Sequence, residues 1–409
     1  MIIAALLLFL STLLVWIYNT KSQGSNEAGG KAQSEITKTN RNTDETEEVQ
    51  SMKYQDEKKS VCVEDMVASR ISDTEIQITW PDENNPYVKE YEVKRHIKGK
   101  DGWQTIGTLA SDQKTEGRSL TISDKLKDSS IQQYEYRVDV SVSDEKEYEP
   151  SEGKTAIASN VLICIDPGHY TGKNQVEDAD GRIYCEGDFT LEIAKELTRI
   201  LEEDYGVSCR LTRDSENITI DGYTNENLDQ AHISLRGEYA TEARLFLSLH
   251  TNANLENANG CETKRQPIAI NKPIIIVNAL AYDTDYALQT ANAIGSNLAS
   301  VSSQLGLYPV KEFRIAADKN DIMEWTDAYN DKLGEPGTVC SRWGKKGDYY
   351  GVLRGAATVG VPGMIIEHGF HTVPEMRELA LQGTLKTKWA EADAWGIAQG
   401  LGLKKGMEE

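Results

Sequence analysis

The spacing of apolar residues changes character along this chain. Residues 2–18 form one uncharged apolar run, residues 21–60 are poor in apolar groups, residues 61–159 alternate in short runs, and from residue 160 onward solid apolar runs take turns with helical patterns. The opening stretch MIIAALLLFLSTLLVWIYNTK approaches the roughly 20 residues that cross a bilayer. No small-x-small cleavage pattern follows it. This predicts a membrane anchor over residues 1–20, with a cleaved signal as the alternative. The polar stretch after it buries too little apolar surface to offset ordering entropy, which predicts a disordered linker over residues 21–60.

Between residues 61 and 159 the runs EIQITW, YEVKRH, SLTISD and YEYRVDVSV alternate apolar and polar positions, and Gly, Asp, Asn and Pro separate them. That spacing predicts an all-β sandwich. From residue 160 to 405, VLICIDPGH, VSCRLTR, RLFLSLHTN and PGMIIEHGF read as strands. DFTLEIAKELTRILEEDYG and DYALQTANAIGSNLASVSSQLG carry apolar residues at helical spacing. Solid apolar strands joined by helices predict an α/β domain, a mostly parallel twisted sheet with helices on both faces.

Charge narrows the partners. A net charge of -21 argues against a nucleic-acid partner, whose phosphates an acidic surface repels. The six cysteines contain no CxxC pair, so neither a thiolate zinc cluster nor a dense disulfide framework is indicated; a Cys261–Cys340 bridge is an open alternative.

Three of the predicted strands run into ionisable groups: LICIDPGH into His169, LFLSLH into His250 and GMIIE into Glu367. In a parallel sheet such ends meet at one edge, where α/β proteins bind their ligands. Glu186, just before the first helix, is a fourth candidate for that edge. Two imidazoles and one carboxylate suit Zn²⁺ with a position left for water, and a further carboxylate can move the proton. Within GMIIEHGFHT, alternate side chains point to opposite faces, so Glu367 and His368 do not both face a metal. With Glu367 toward the site, His368 packs or points away; which of the carboxylates Glu186 and Glu367 binds and which moves the proton stays open. His371 stands beside the site or on its substrate side.

The segments ICIDPGH, YCEGDFTLEIAKEL, LTRD, SLRGEYA, LFLSLHTNAN, GCET, GVLRGA and PGMIIEHGF, in this order, resemble the zinc-dependent N-acetylmuramoyl-L-alanine amidases with an Amidase 3 type catalytic domain. The resemblance implies that His169, Glu186 and His250 bind Zn²⁺. It implies that Glu367 is the general base, with metal-bound water as nucleophile, and that the substrate is the bond between N-acetylmuramic acid and L-alanine in peptidoglycan. Asn252, Arg354 and His371 are then candidates for substrate binding. The expected place is outside the cytoplasm, anchored at the cell envelope or alternatively secreted. Peptidoglycan and, through the N-terminal helix, the membrane are the expected partners; no activating protein is named. Trp80, Tyr91 and LKDSSIQQYEYRV resemble the fibronectin type III module, which implies a core Trp80 and a corner Tyr134.

Two departures stand out. Family members usually carry Lys after the liganding Glu, where this chain has Gly187. Residues 309–350, with Phe313, Trp325, Trp343, Tyr349 and Tyr350, exceed what a compact member requires and predict a lid or substrate wall. The alternatives are a catalytically silent peptidoglycan-binding or regulatory protein, or a zinc hydrolase acting on another cell-wall amide. The chain has no HExxH helix, so the common zinc peptidases fit poorly.

Overall fold

The computed structural model describes residues 58–82, 87–111, 118–253, 272–307, 323–324 and 338–406. The expected anchor, residues 1–20, and nearly all of the expected linker lie outside them, as do Cys261, Phe313 and Trp325. Among the described residues no helix is long and apolar enough to cross a membrane.

The alternating runs form two antiparallel sheets. One joins Val67–Ser72, Glu75–Pro81 and Ser119–Lys125; the other joins Gln104–Ala110, Val88–Ile97, Gln133–Val142 and Ala156–Ser159. Glu75–Pro81 alternates half-buried and buried positions, which puts Ile76, Ile78 and Trp80 into a shared core. Trp80 packs edge-on against Tyr91 at 5.7 Å.

The solid apolar runs form a seven-stranded sheet. Its order is Ser208–Leu211, Leu162–Pro167, Leu245–Asn252, Gly363–Phe370, Ile274–Val277, Thr338–Ser341 and Met323–Glu324. Neighbours are parallel except for Ile274–Val277, which runs antiparallel to Gly363–Phe370. The sheet is therefore mixed. Two groups of helices pack with it: Glu186–Tyr205, Asp285–Gln304 and Thr384–Leu401 form one, Ser234–Glu238 and Gly351–Thr358 the other. The first helix buries Phe189, Ile193, Ala194, Leu197, Ile200 and Leu201 and stops at Gly206, whose φ of 62° only glycine adopts without strain.

The sandwich and the α/β domain are not beads on a string; both fall within one compact unit, residues 57–409. Asn160 ties the junction: its side chain donates to the carbonyls of Asp73 (2.9 Å) and Ser130 (2.7 Å) and accepts from Gln132 N. Gln133, buried in the sandwich, donates to the carbonyls of Tyr205 (2.9 Å) and Lys404 (2.8 Å) and accepts from Lys404 N at 3.0 Å. Arg244 pairs with Asp73 at 2.9 Å. A contact built from satisfied buried amides holds one geometry, because slippage leaves those groups unpaired. Gln133→Ala is expected to cost about 1–3 kcal/mol of the unfolding free energy from denaturant titration; an unchanged midpoint refutes this account of the junction.

Candidate active site

The burial pattern marks the site. Leu245–Asn252 is buried up to Leu249 and opens at His250 and Asn252; Gly363–Phe370 is buried except at Glu367. These strands are parallel, with His250 directly opposite Glu367, so the two side chains leave the same face of the sheet. His169 follows the Leu162–Pro167 strand by two residues at φ 61°, a turn that non-glycine residues seldom adopt. Arg236 holds that turn by donating to the His169 carbonyl at 3.1 Å. Gly168 precedes it because an added Cβ would meet the Leu249 carbonyl and the His250 ring at 2.5 Å.

Glu186 opens its helix and reaches between the two imidazoles. Its Oε1 accepts from Thr251 N at 3.0 Å and lies 3.0 Å from His250 Nδ1. Its Oε2 accepts from Asn174 Nδ2 at 2.7 Å and lies 3.4 Å from His169 Nε2. One ligand atom each from His169, Glu186 and His250 falls within 4.8 Å of the others. Gly187 follows Glu186 because a Cβ there would stand 2.0 Å from the Tyr170 carbonyl; this packing accounts for the absent lysine.

The electrostatics fit a cation. Burial opposes charge on His169, yet Glu186 and Asp229 beside it push the imidazole up to about 10. Burial likewise opposes the Glu186 carboxylate, but His169 and His250 hold it well below the usual range. The carboxylates beside His169 favour positive charge in a pocket whose donors are two imidazoles and a carboxylate. A divalent metal would supply that charge in place of a proton. The other nitrogen of His169, Nδ1, faces Asp229 Oδ2 at 3.6 Å, the carboxylate–histidine arrangement common behind metal-binding imidazoles.

Glu367 is different. Burial and the nearby Glu186 charge push its carboxyl well above the usual range. Its Oε2 is buried without a hydrogen-bond partner among the described residues. These side chains line a cavity of about 410 Å³, together with Asn252, Tyr350 and His371. His371 is buried; its Nδ1 lies 3.0 Å from the Thr251 carbonyl and its ring stacks on Tyr184 at 5.9 Å. Asn252 lines the cavity while its Oδ1 accepts from Ala253 N. Arg354 does not line it: its guanidinium donates to the carbonyls of Asp348 (2.8 Å) and Tyr349 (2.6 Å), bracing the turn before its own helix. Of the aromatic residues expected in a wall, Tyr350 lines the cavity, whereas Trp343 and Tyr349 are exposed. Asp229 and Asn174 were not apparent from sequence, since neither sits in a strand-end pattern. Cys340 is buried and forms no disulfide among the described residues.

The family model for N-acetylmuramoyl-L-alanine amidase, Amidase_3, matches residues 163–399. Among solved structures, the chain is similar to the catalytic domain of the amidase CwlV from Bacillus (Paenibacillus) polymyxa var. colistinus. That likeness has 17% identity and a TM-score of 0.39 over 60% of this chain and 99% of the other. An amidase from Clostridium difficile 630 aligns at 18% identity and TM-score 0.37, over 58% and 94% of the two chains. The CwlD amidase of Clostridioides difficile, solved in complex with the GerS lipoprotein, aligns at 17% and 0.37 over 59% and 99%. No curated protein matches the chain. With the family model spanning more than half of its length and ending within the last helix, this chain belongs to the Amidase_3 family of N-acetylmuramoyl-L-alanine amidases.

Proposed function

We propose that this protein is a zinc amidase that hydrolyses the bond between the lactyl group of N-acetylmuramic acid and the L-alanine of the stem peptide. His169, Glu186 and His250 would hold the zinc and Glu367 would serve as general base. The observation that carries the reading is the meeting of three ligand atoms within 4.8 Å of one another in a cavity that Glu367 also lines. When bound, Zn²⁺ supplies a Lewis acid that polarises the scissile carbonyl and makes water acidic. Glu367, disfavoured as an anion by burial and by Glu186, is suited to take a proton from the attacking water and hand it to the leaving amine. Asn252 and His371 line the cavity and are assigned to substrate; the packing of Arg354 onto carbonyls supports a bracing role instead.

The same reading takes residues 1–20 as an anchor that holds the enzyme outside the cytoplasm at the cell envelope, and the sandwich as a fibronectin type III-like module. Digestion of purified peptidoglycan by the protein tests the reaction. Released stem peptides should begin with a free L-alanine amino group, and a chelator should stop their release until Zn²⁺ is returned. Fragments ending at sugar bonds, or no fragments from the zinc-loaded protein, overturn the proposal.

A further inference from the structure

His368 follows Glu367 on the Gly363–Phe370 strand and is fully buried on the opposite face. Its Nδ1 lies 3.0 Å from the backbone carbonyl of His250, and its Nε2 lies 2.7 Å from Asp393 Oδ2 on the Thr384–Leu401 helix. The ring stacks on Trp389 at 5.2 Å. A carbonyl only accepts, so Nδ1 carries the hydrogen and donates to His250. A carboxylate also only accepts, so the 2.7 Å contact holds a second proton, shared between Nε2 and Asp393 Oδ2. Met364, Ile365 and Ile366 show what this strand carries where packing alone decides. A buried His–Asp pair is a costly substitute for such residues, the more so because Asp393 Oδ1 is buried without a partner among the described residues.

The position of the bond explains the choice. The parallel register runs without a break from Phe246–Gly363 to His250–Glu367, then shifts, so that Asn252 pairs with Phe370. Irregularities of this kind re-aim side chains next to active sites, and His250 is the last residue before it. We infer that His368, held by Asp393, is a positioning residue: its ring N–H pins the His250 carbonyl at the register break and so sets the direction of the metal-binding imidazole. The inference rests on reading His250 as a metal ligand. His368 itself touches neither metal nor substrate.

Three variants of the full chain, His368→Phe, His368→Gln and Asp393→Ala, test this. Zn²⁺ affinity is measured by competition with a chromophoric chelator, alongside kcat, KM and the melting temperature. His368→Phe keeps a ring against Trp389 but loses the donor. It should weaken zinc binding roughly 10- to 100-fold, the usual effect of removing a group behind a ligand, and lower kcat with KM unchanged. His368→Gln, whose amide still donates, should recover most of the affinity. If His368→Phe does not fold, Asp393→Ala, which removes the group that holds Nε2, carries the test and should weaken zinc binding in the same direction. A folded His368→Phe or Asp393→Ala that binds zinc like the wild type, however much its melting temperature falls, overturns the role of His368 alone. A wild-type chain that binds no zinc overturns the ligand assignment and this inference with it.

Discussion

Glu367→Gln is expected to lower kcat on peptidoglycan by about 10²- to 10⁴-fold, the usual worth of a positioned general base, while leaving zinc affinity unchanged. The substitution keeps shape and volume but removes the ability to accept a proton. Glu367 stands beside His250 across two parallel strands and lines the same cavity, so its reach to the reacting water does not depend on a mobile element. It is outside the trio whose donor atoms converge. Its elevated proton affinity, caused by burial and by Glu186, is what a group that both takes and returns a proton needs near neutral pH. His250→Ala makes the contrast: it should lose the metal as well as the activity. Full activity in the Glu367 variant would remove it as the base, and loss of zinc from that variant would move it among the ligands.

Much of this site was legible because buried strands read as apolar runs. One ionisable residue at the end of such a run is commonly structural, but two histidines and two carboxylates converging on one edge are not easily dismissed. His169, His250 and Glu367 were found in that way, and the sheet does bring them to one cavity. The direction of Ile274–Val277 was not legible, since an apolar run reads alike either way; its antiparallel pairing, Ile274 opposite Glu367, is settled by tertiary contact. Asp229 is a polar residue on a short helix, where a solvated surface is the usual reading, and only the approach of His169 and Arg236 gives it a task. Arg354 looked equally able to face substrate or protein, and its sequence neighbours do not distinguish the two. His368 was expected to turn away from the metal. Its side chain does so, but its partner Asp393 lies 25 residues further on in a helix, beyond any local pattern.

Arg236→Met should destabilise the fold by about 3–5 kcal/mol, the cost typical of stranding one member of a buried ion pair. Arg236 is 2% exposed and Asp166 0%. The guanidinium reaches Asp166 at 2.9 Å and Asp229 at 3.0 Å, and it donates to the carbonyls of Pro167 (2.6 Å) and His169 (3.1 Å). Burial pushes the Asp166 carboxyl up, but Arg236, with Ser248 and Thr212, more than offsets this and holds it below the usual range. In the wild type, the Asp166 contribution is therefore fully present above the unfolded value of about 3.9 and is lost as pH falls through the lower folded value. In the variant burial prevails and the folded value rises. Stability should then decline as pH climbs from about 4, because the unfolded chain releases the proton that the folded one retains. The gap between variant and wild type, measured by urea titration, should thus be wider at pH 7 than at pH 4. A loss below about 1 kcal/mol, the ceiling usual for exposed pairs, or a gap independent of pH would show that Asp166 does not depend on Arg236 for its charge. The same substitution releases the His169 carbonyl, so the cost falls on the turn that presents the first of the proposed zinc ligands, linking the buried pair beneath the sheet edge to the chemistry proposed at that edge.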